Sequence, residues 1–189
     1  MKNNLTTKKI VLTALLAALT VAGSALRIKV PLDIAGFSAF HLGNILCALS
    51  GIFLGPWLGG LAAGLGSAIY DMFDPVYISE CWMTFLMKGA YGIAVGLVVH
   101  SGKKFWDGSY RKALLGTITG ALTYAALYLA KSYFYGGRLL AGLTHEAAML
   151  NLTGKLPATA FNAGIAMVCA PLLAVSVYKA LKRSHLTLE

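Results

Sequence analysis

The residues best equipped for chemistry crowd into one short stretch, Tyr70 to Tyr91, YDMFDPVYISECWMTFLMKGAY. It holds three of the seven acids (Asp71, Asp74, Glu80), the aromatics Tyr77, Trp82 and Tyr91, and Lys88. Carboxylates beside aromatic rings and an ammonium offer stacking, hydrogen bonding and acid–base work. The stretch lies between apolar runs of a chain that is 58% hydrophobic and 12% charged. Ionisable groups in such surroundings are costly unless paired or turned to a wet cavity, so the cluster must serve a purpose.

Further polar residues recur at helical spacing. His41, Asn44 and Ala48 share a face, as do Thr84, Lys88 and Tyr91, and Ser67, Asp71 and Asp74 join them if their helix runs far enough. Tyr124, Tyr128, Lys131 and Tyr135 follow i, i+4, i+7, i+11. Turned inward, these faces surround one cavity suited to a flat, polar, heteroaromatic molecule. Each residue has a plainer reading. Lys88 can be a strut against Asp71 or Glu80, Lys131 can snorkel, and Tyr77, Trp82 and Tyr135 suit an interfacial belt.

Reaction motifs do not emerge. His145 and Glu146 open HEAAM, one histidine short of a zinc-binding HExxH, and there is no nucleophile elbow, P-loop or dinucleotide fingerprint. Cys47, Cys81 and Cys169 sit in separate apolar segments as small hydrophobes. No catalytic residue, metal or cofactor is assigned. An enzyme using Asp71, Asp74 and Glu80 as acid–base groups lacks a paired nucleophile or metal. A self-sufficient carrier or channel lacks the inverted repeats expected of one.

The elements that position these residues follow from hydropathy. A mean of +0.71 and a charged fraction about half the usual quarter describe an integral membrane protein. Continuous apolar runs argue against a β-barrel. The net charge of +9 sits at the ends of apolar runs, not on an aromatic-interleaved surface, so nucleic acid is not a partner. The expectation is an all-α single membrane domain over residues 1–189. Its six transmembrane helices fall near 10–26, 37–55, 57–72, 82–99, 113–135 and 157–181.

The first run also fits a signal peptide with Ala22-Gly23-Ser24 as its small-residue site. Its stripe of Ala14, Ala18 and Ala22 favours close packing against another membrane helix instead. Arg27 to Phe40, punctuated by Pro31 and Gly36, reads as a loop. Gly55-Pro56 breaks the second helix from the third. Gly136 to Leu156 reads as a long connection with a short amphipathic segment near Leu143 to Leu150. Ten of the sixteen basic residues (Lys2, Lys8, Lys9, Lys103, Lys104, Arg111, Lys112, Lys179, Lys182, Arg183) share one face with both termini, which makes that face cytoplasmic. Asp33, Asp71, Asp74, Glu80 and Glu146 fall on the outer side.

Four segments carry a family resemblance over nearly the whole chain. They are the stripe Ala14, Ala18, Ala22; HLGNILCALSGIFLGPWLGGLAAGLGSAIYD from His41 to Asp71; FLMKGAYGIAVG from Phe85 to Gly96; and LPATAFNAG from Leu156 to Gly164. The chain resembles the substrate-binding S components of energy-coupling factor (ECF) vitamin transporters. The resemblance implies a six-helix protein of the prokaryotic plasma membrane that binds a vitamin or precursor near its outer face. Its pocket is expected from the first and third outer loops and helices four to six. Its partners are expected to be membrane lipid, a transmembrane coupling subunit that meets the alanine stripe, and two cytoplasmic ATPases. The family's toppling motion is expected to deliver the ligand. Substrate contacts are expected from Asn44, Asp71, Tyr77, Glu80, Trp82, Lys88, Tyr128, Lys131, Tyr135 and Asn162, although LPATAFNAG lacks the asparagine often found right after the proline. No thiamine, biotin or riboflavin signature stands out. Hydroxymethylpyrimidine, pyridoxine-like and benzimidazole-like compounds are the candidate ligands.

Overall fold

A computed structural model describes residues 7–33, 36–102 and 106–184, with side chains described outside 30–38. Lys2, Lys103, Lys104 and tail residues 185–189 lie outside the described residues, as do the side chains of Pro31 and Asp33. Five helices are long and apolar enough to cross a membrane. The first, α1 (Thr7–Ala25), buries Thr13, Leu16, Ala17, Thr20, Gly23 and Ser24. Thr13 and Thr20 donate to the carbonyls of Lys9 and Leu16 at 2.7 and 2.8 Å, which satisfies their hydroxyls within the helix.

Arg27 to His41 is not an open loop. It forms an antiparallel hairpin, β1 (Arg27–Asp33) and β2 (Gly36–His41), pairing Arg27 with His41 and Lys29 with Ala39. Pro31 falls where the register breaks, between Val30 and Asp33, and a two-stranded ribbon tolerates a residue that donates no ladder bond there. The hairpin pushes the start of the next helix, expected near residue 37, to Gly43.

Helix α2 (Gly43–Met72) contains both the second and third expected helices. A straight helix would hold Cys47 and Ser67 about 30 Å apart, yet their Sγ and Oγ atoms are 3.6 Å apart. The chain folds back on itself at Gly55, whose φ of 78° is open to glycine at little cost. Pro56 then has no N–H for the carbonyl of Ile52. His100 supplies the missing donor, its Nε2 lying 2.9 Å from that oxygen. The third long helix, α3 (Cys81–Val99), meets this turn at backbone contact. A methyl added at Gly96 would lie 2.5 Å from the carbonyl carbon of Gly55. Trp106 closes the same end, edge-on to Phe53 at 5.7 Å and tilted against Tyr178 at 5.3 Å.

Helix α4 (Tyr110–Lys131) continues into a π-helical segment, Ser132–Leu140. Helix α5 then runs unbroken from His145 to Arg183, so the long connection expected up to residue 156 is mostly helix. Thr144 caps it, accepting from Ala147 N–H at 3.3 Å, and Pro157 and Pro171 lie within it rather than at its ends. The short amphipathic segment near Leu150 is simply part of this helix.

Candidate ligand-binding cavity

A cavity of about 200 Å³ opens at the hairpin end of the bundle. Arg27, Ala39 and His41 wall it from the hairpin, and Ser67 and Asp71 from the last turns of α2. The 3₁₀ turn Ile78–Glu80 and the residues before it bring Tyr77 and Glu80, and α3 brings Thr84, Met87 and Lys88. Tyr124, Tyr128, Lys131 and Ser132 come from α4 and its continuation, and Asn151, Lys155, Ala158 and Asn162 from α5.

Most of the charge in this wall is internally answered. Arg27 reaches Asp71 at 3.2 Å and Asp74 at 3.7 Å, and Lys29 reaches Asp74 at 2.7 Å. The Arg27 guanidinium lies over the rings of Tyr70 and Tyr77 at 4.6 and 4.9 Å, which lets a cation shed water against π faces. Lys131 pairs with Glu80 and ties α4 to the start of α3. Lys88 bonds neither expected carboxylate. It donates to Asn44 Oδ1 and stands 3.9 Å from the Tyr124 ring centroid. Tyr124 and Tyr128 stack on each other at 5.8 Å and 21°, and both line the cavity.

Two groups at this end of the bundle are electrostatically displaced. Burial, then the charges of Lys88 and Arg27, hold His41 well below its usual range. Its Nδ1 accepts from Gly43 N–H at 3.1 Å, so the neutral ring carries its proton on Nε2. Burial works against the charge of Asp74. The Lys29 hydrogen bond, the Val76 N–H at 3.1 Å and the Lys29 and Arg27 charges outweigh it and hold the carboxyl below the usual range.

Of the residues singled out by sequence, Asp71, Tyr77, Glu80, Lys88, Tyr128, Lys131 and Asn162 line this cavity. Asn44, buried behind it, holds Lys88. Asn162 accepts from His41 N–H at 2.9 Å and donates to Ala39 O at 2.7 Å, so its amide clasps α5 to β2. Trp82 and Tyr135 do not reach the wall; they pack edge-on to each other at 6.4 Å, and Trp82 is 52% exposed. Tyr91, expected on the cavity face, is fully buried and tilted against Tyr124. Sequence reasoning passed over Arg27, Ser132, Asn151 and Lys155 as site residues. On α5, Asn151, Lys155, Ala158 and Asn162 repeat the i, i+4, i+7, i+11 spacing seen on α4, a signal hidden by treating Pro157 as a helix start. Ala14, Ala18 and Ala22 all lie on the exposed side of α1.

A multi-pass helical bundle with a polar, aromatic-walled cavity at one end is the architecture of a membrane solute-binding component. The chain belongs to the family of ECF-type riboflavin transporter S components, whose family model matches residues 4–182. It is also 32% identical over 122 residues to a protein of Pyrococcus woesei described as "Uncharacterized protein in gap 3'region", a match covering 64% of this chain and 74% of the relative. Membership makes the protein a multi-pass cell-membrane component of a transporter, from a family that is not enzymatic. It serves as a substrate-binding subunit that works with an ECF module on a small vitamin-like substrate.

Proposed function

We propose that the protein is the high-affinity binding subunit of an ECF-type importer for a small heteroaromatic vitamin or precursor. The observation that carries this reading is the cavity wall: a stacked tyrosine pair faces hydrogen-bonding groups held in place by their own partners. Tyr77 and Tyr128 are the ring contacts; Asp71, Glu80, Lys88 and Lys131 are the polar ones. Asn44 acts through Lys88, and Asn162 by holding the hairpin. Trp82 and Tyr135 serve as interfacial aromatics at the mouth.

A volume of about 200 Å³ falls below the roughly 300–1,000 Å³ of drug-sized pockets. That supports a one- or two-ring ligand such as hydroxymethylpyrimidine, a pyridoxine-like or a benzimidazole-like compound, rather than the larger riboflavin of the family's name. The fold-back of α2 supports six crossings, with both termini and the Gly55 turn on the cytoplasmic side and the cavity outside. No P-loop occurs in the sequence, so energy would come from two ATPases through a transmembrane coupling subunit.

Purified protein titrated by calorimetry with these compounds and riboflavin is expected to bind at least one of them below micromolar. Failure with every compound would sink the binding reading. The exposed alanines of α1 support a docking stripe for the coupling subunit. Ala18→Trp is expected to abolish ATP-driven uptake while leaving solute affinity within about twofold, since the substitution fills no internal space. Loss of binding instead would mean that the stripe packs internally.

A further inference from the structure

We infer that the ligand carries an anionic group, a carboxylate or a phosphate, received by Lys88 at the inner end of the cavity. This rests on the binding-subunit reading above. Lys88 lies eight residues along α3 from Glu80, about 12 Å deeper at the helical rise. It is 3% exposed, yet it lines the cavity. Its two partners, the Asn44 amide oxygen and the Tyr124 ring face, are both neutral.

The other cations that enter from the hairpin and α4 have acids beside them. Arg27 takes Asp71 and Asp74, Lys29 takes Asp74, and Lys131 takes Glu80. Among the described residues, no carboxylate comes within ion-pair distance of Lys88. A buried cation without a counter-ion is costly by several kcal/mol, and an ammonium has three donors to satisfy. The amide and the ring leave that demand unmet. That demand is met if an oxyanion enters, pairs the ammonium and accepts its remaining N–H bonds. Tyr128, stacked on Tyr124 and also in the cavity wall, then lies beside the flat ring to which the anion is attached.

The full chain in detergent can be titrated with pairs that share a ring and differ in charge: nicotinamide and nicotinate, pyridoxine and pyridoxine 5′-phosphate, riboflavin and riboflavin 5′-phosphate. At least one anionic member is expected to bind about tenfold tighter than its neutral partner, as a charge-assisted contact in a dry site should. The pair that responds tells carboxylate from phosphate. Lys88→Met is expected to erase the preference while the thermal midpoint stays level or rises, because the uncompensated charge is gone. Lys88→Gln reads the same loss if the methionine variant does not fold. Tight binding of neutral members without an anionic preference would overturn the inference and leave the binding-subunit reading standing, as would a preference that survives both substitutions. No binding by any of the six would overturn the inference, and the binding-subunit reading would then fall only if the hydroxymethylpyrimidine and benzimidazole titrations failed as well.

Discussion

The two ends of the bundle solve opposite problems. At the Gly55 turn the helices press together until only a glycine fits at residue 96, and an apolar trio of Phe53, Trp106 and Tyr178 seals them. At the hairpin end they are held apart by ion pairs that each join different segments: β1 to α2, and α4 to the start of α3. Backbone contact fixes position but leaves no room. Side-chain pairs leave a space and can be exchanged for contacts with a ligand. The contrast teaches that this fold anchors at one end in order to keep a polar space at the other.

The most severe test of that contrast is Gly96→Leu. Overfilling a backbone contact costs about 1–3 kcal/mol and occasionally more, so the thermal midpoint in detergent should fall steeply. Ligand affinity of the protein that remains folded should hold. An affinity loss larger than the stability loss would mean that the two ends are not separate. Next in size is His100→Leu, which strips the donor from the carbonyl of Ile52, a fully buried residue. An unpaired buried acceptor costs about 1–3 kcal/mol, read as a lowered midpoint with unchanged binding.

The smallest effect belongs to the hairpin end and depends on pH. The folded pKa of Asp74 is depressed, so its contribution is fully present above the unfolded carboxyl value of about 3.9. It is lost as pH falls through the lower folded value. Acid below about pH 4 should therefore loosen the hairpin, and Asp74→Asn should flatten that part of the stability profile. A profile unchanged by the substitution would show that Lys29 and Arg27 do not depend on this acid.

Legibility in the sequence followed the same divide. The face Tyr124, Tyr128, Lys131, Tyr135 was readable because helical periodicity is local, and its first three members line the cavity. Arg27 and Lys29 were seen only as loop charges because their acids are 44 and 45 residues away, and no local pattern reports such pairings. The hairpin was masked by Pro31, and the α5 face by Pro157, since proline breaks ladders and helices in most contexts. Trp82 and Tyr135 were assigned to the cavity because an interfacial ring and a stacking ring have the same composition. Only placement separates them.

The fold-back of α2 also bears on how the chain enters a bilayer. Its turn, Gly55-Pro56-Trp57, contains no lysine, arginine or acid, and Trp57 is 74% exposed. A translocation apparatus that orients segments by flanking cations would find no instruction there. The two arms are then best released into lipid together, as one preformed hairpin, taking their direction from the basic residues in the first turns of α1 and α4. Biogenesis of this protein would in that case depend less on the pair itself than on the segments synthesised on either side of it.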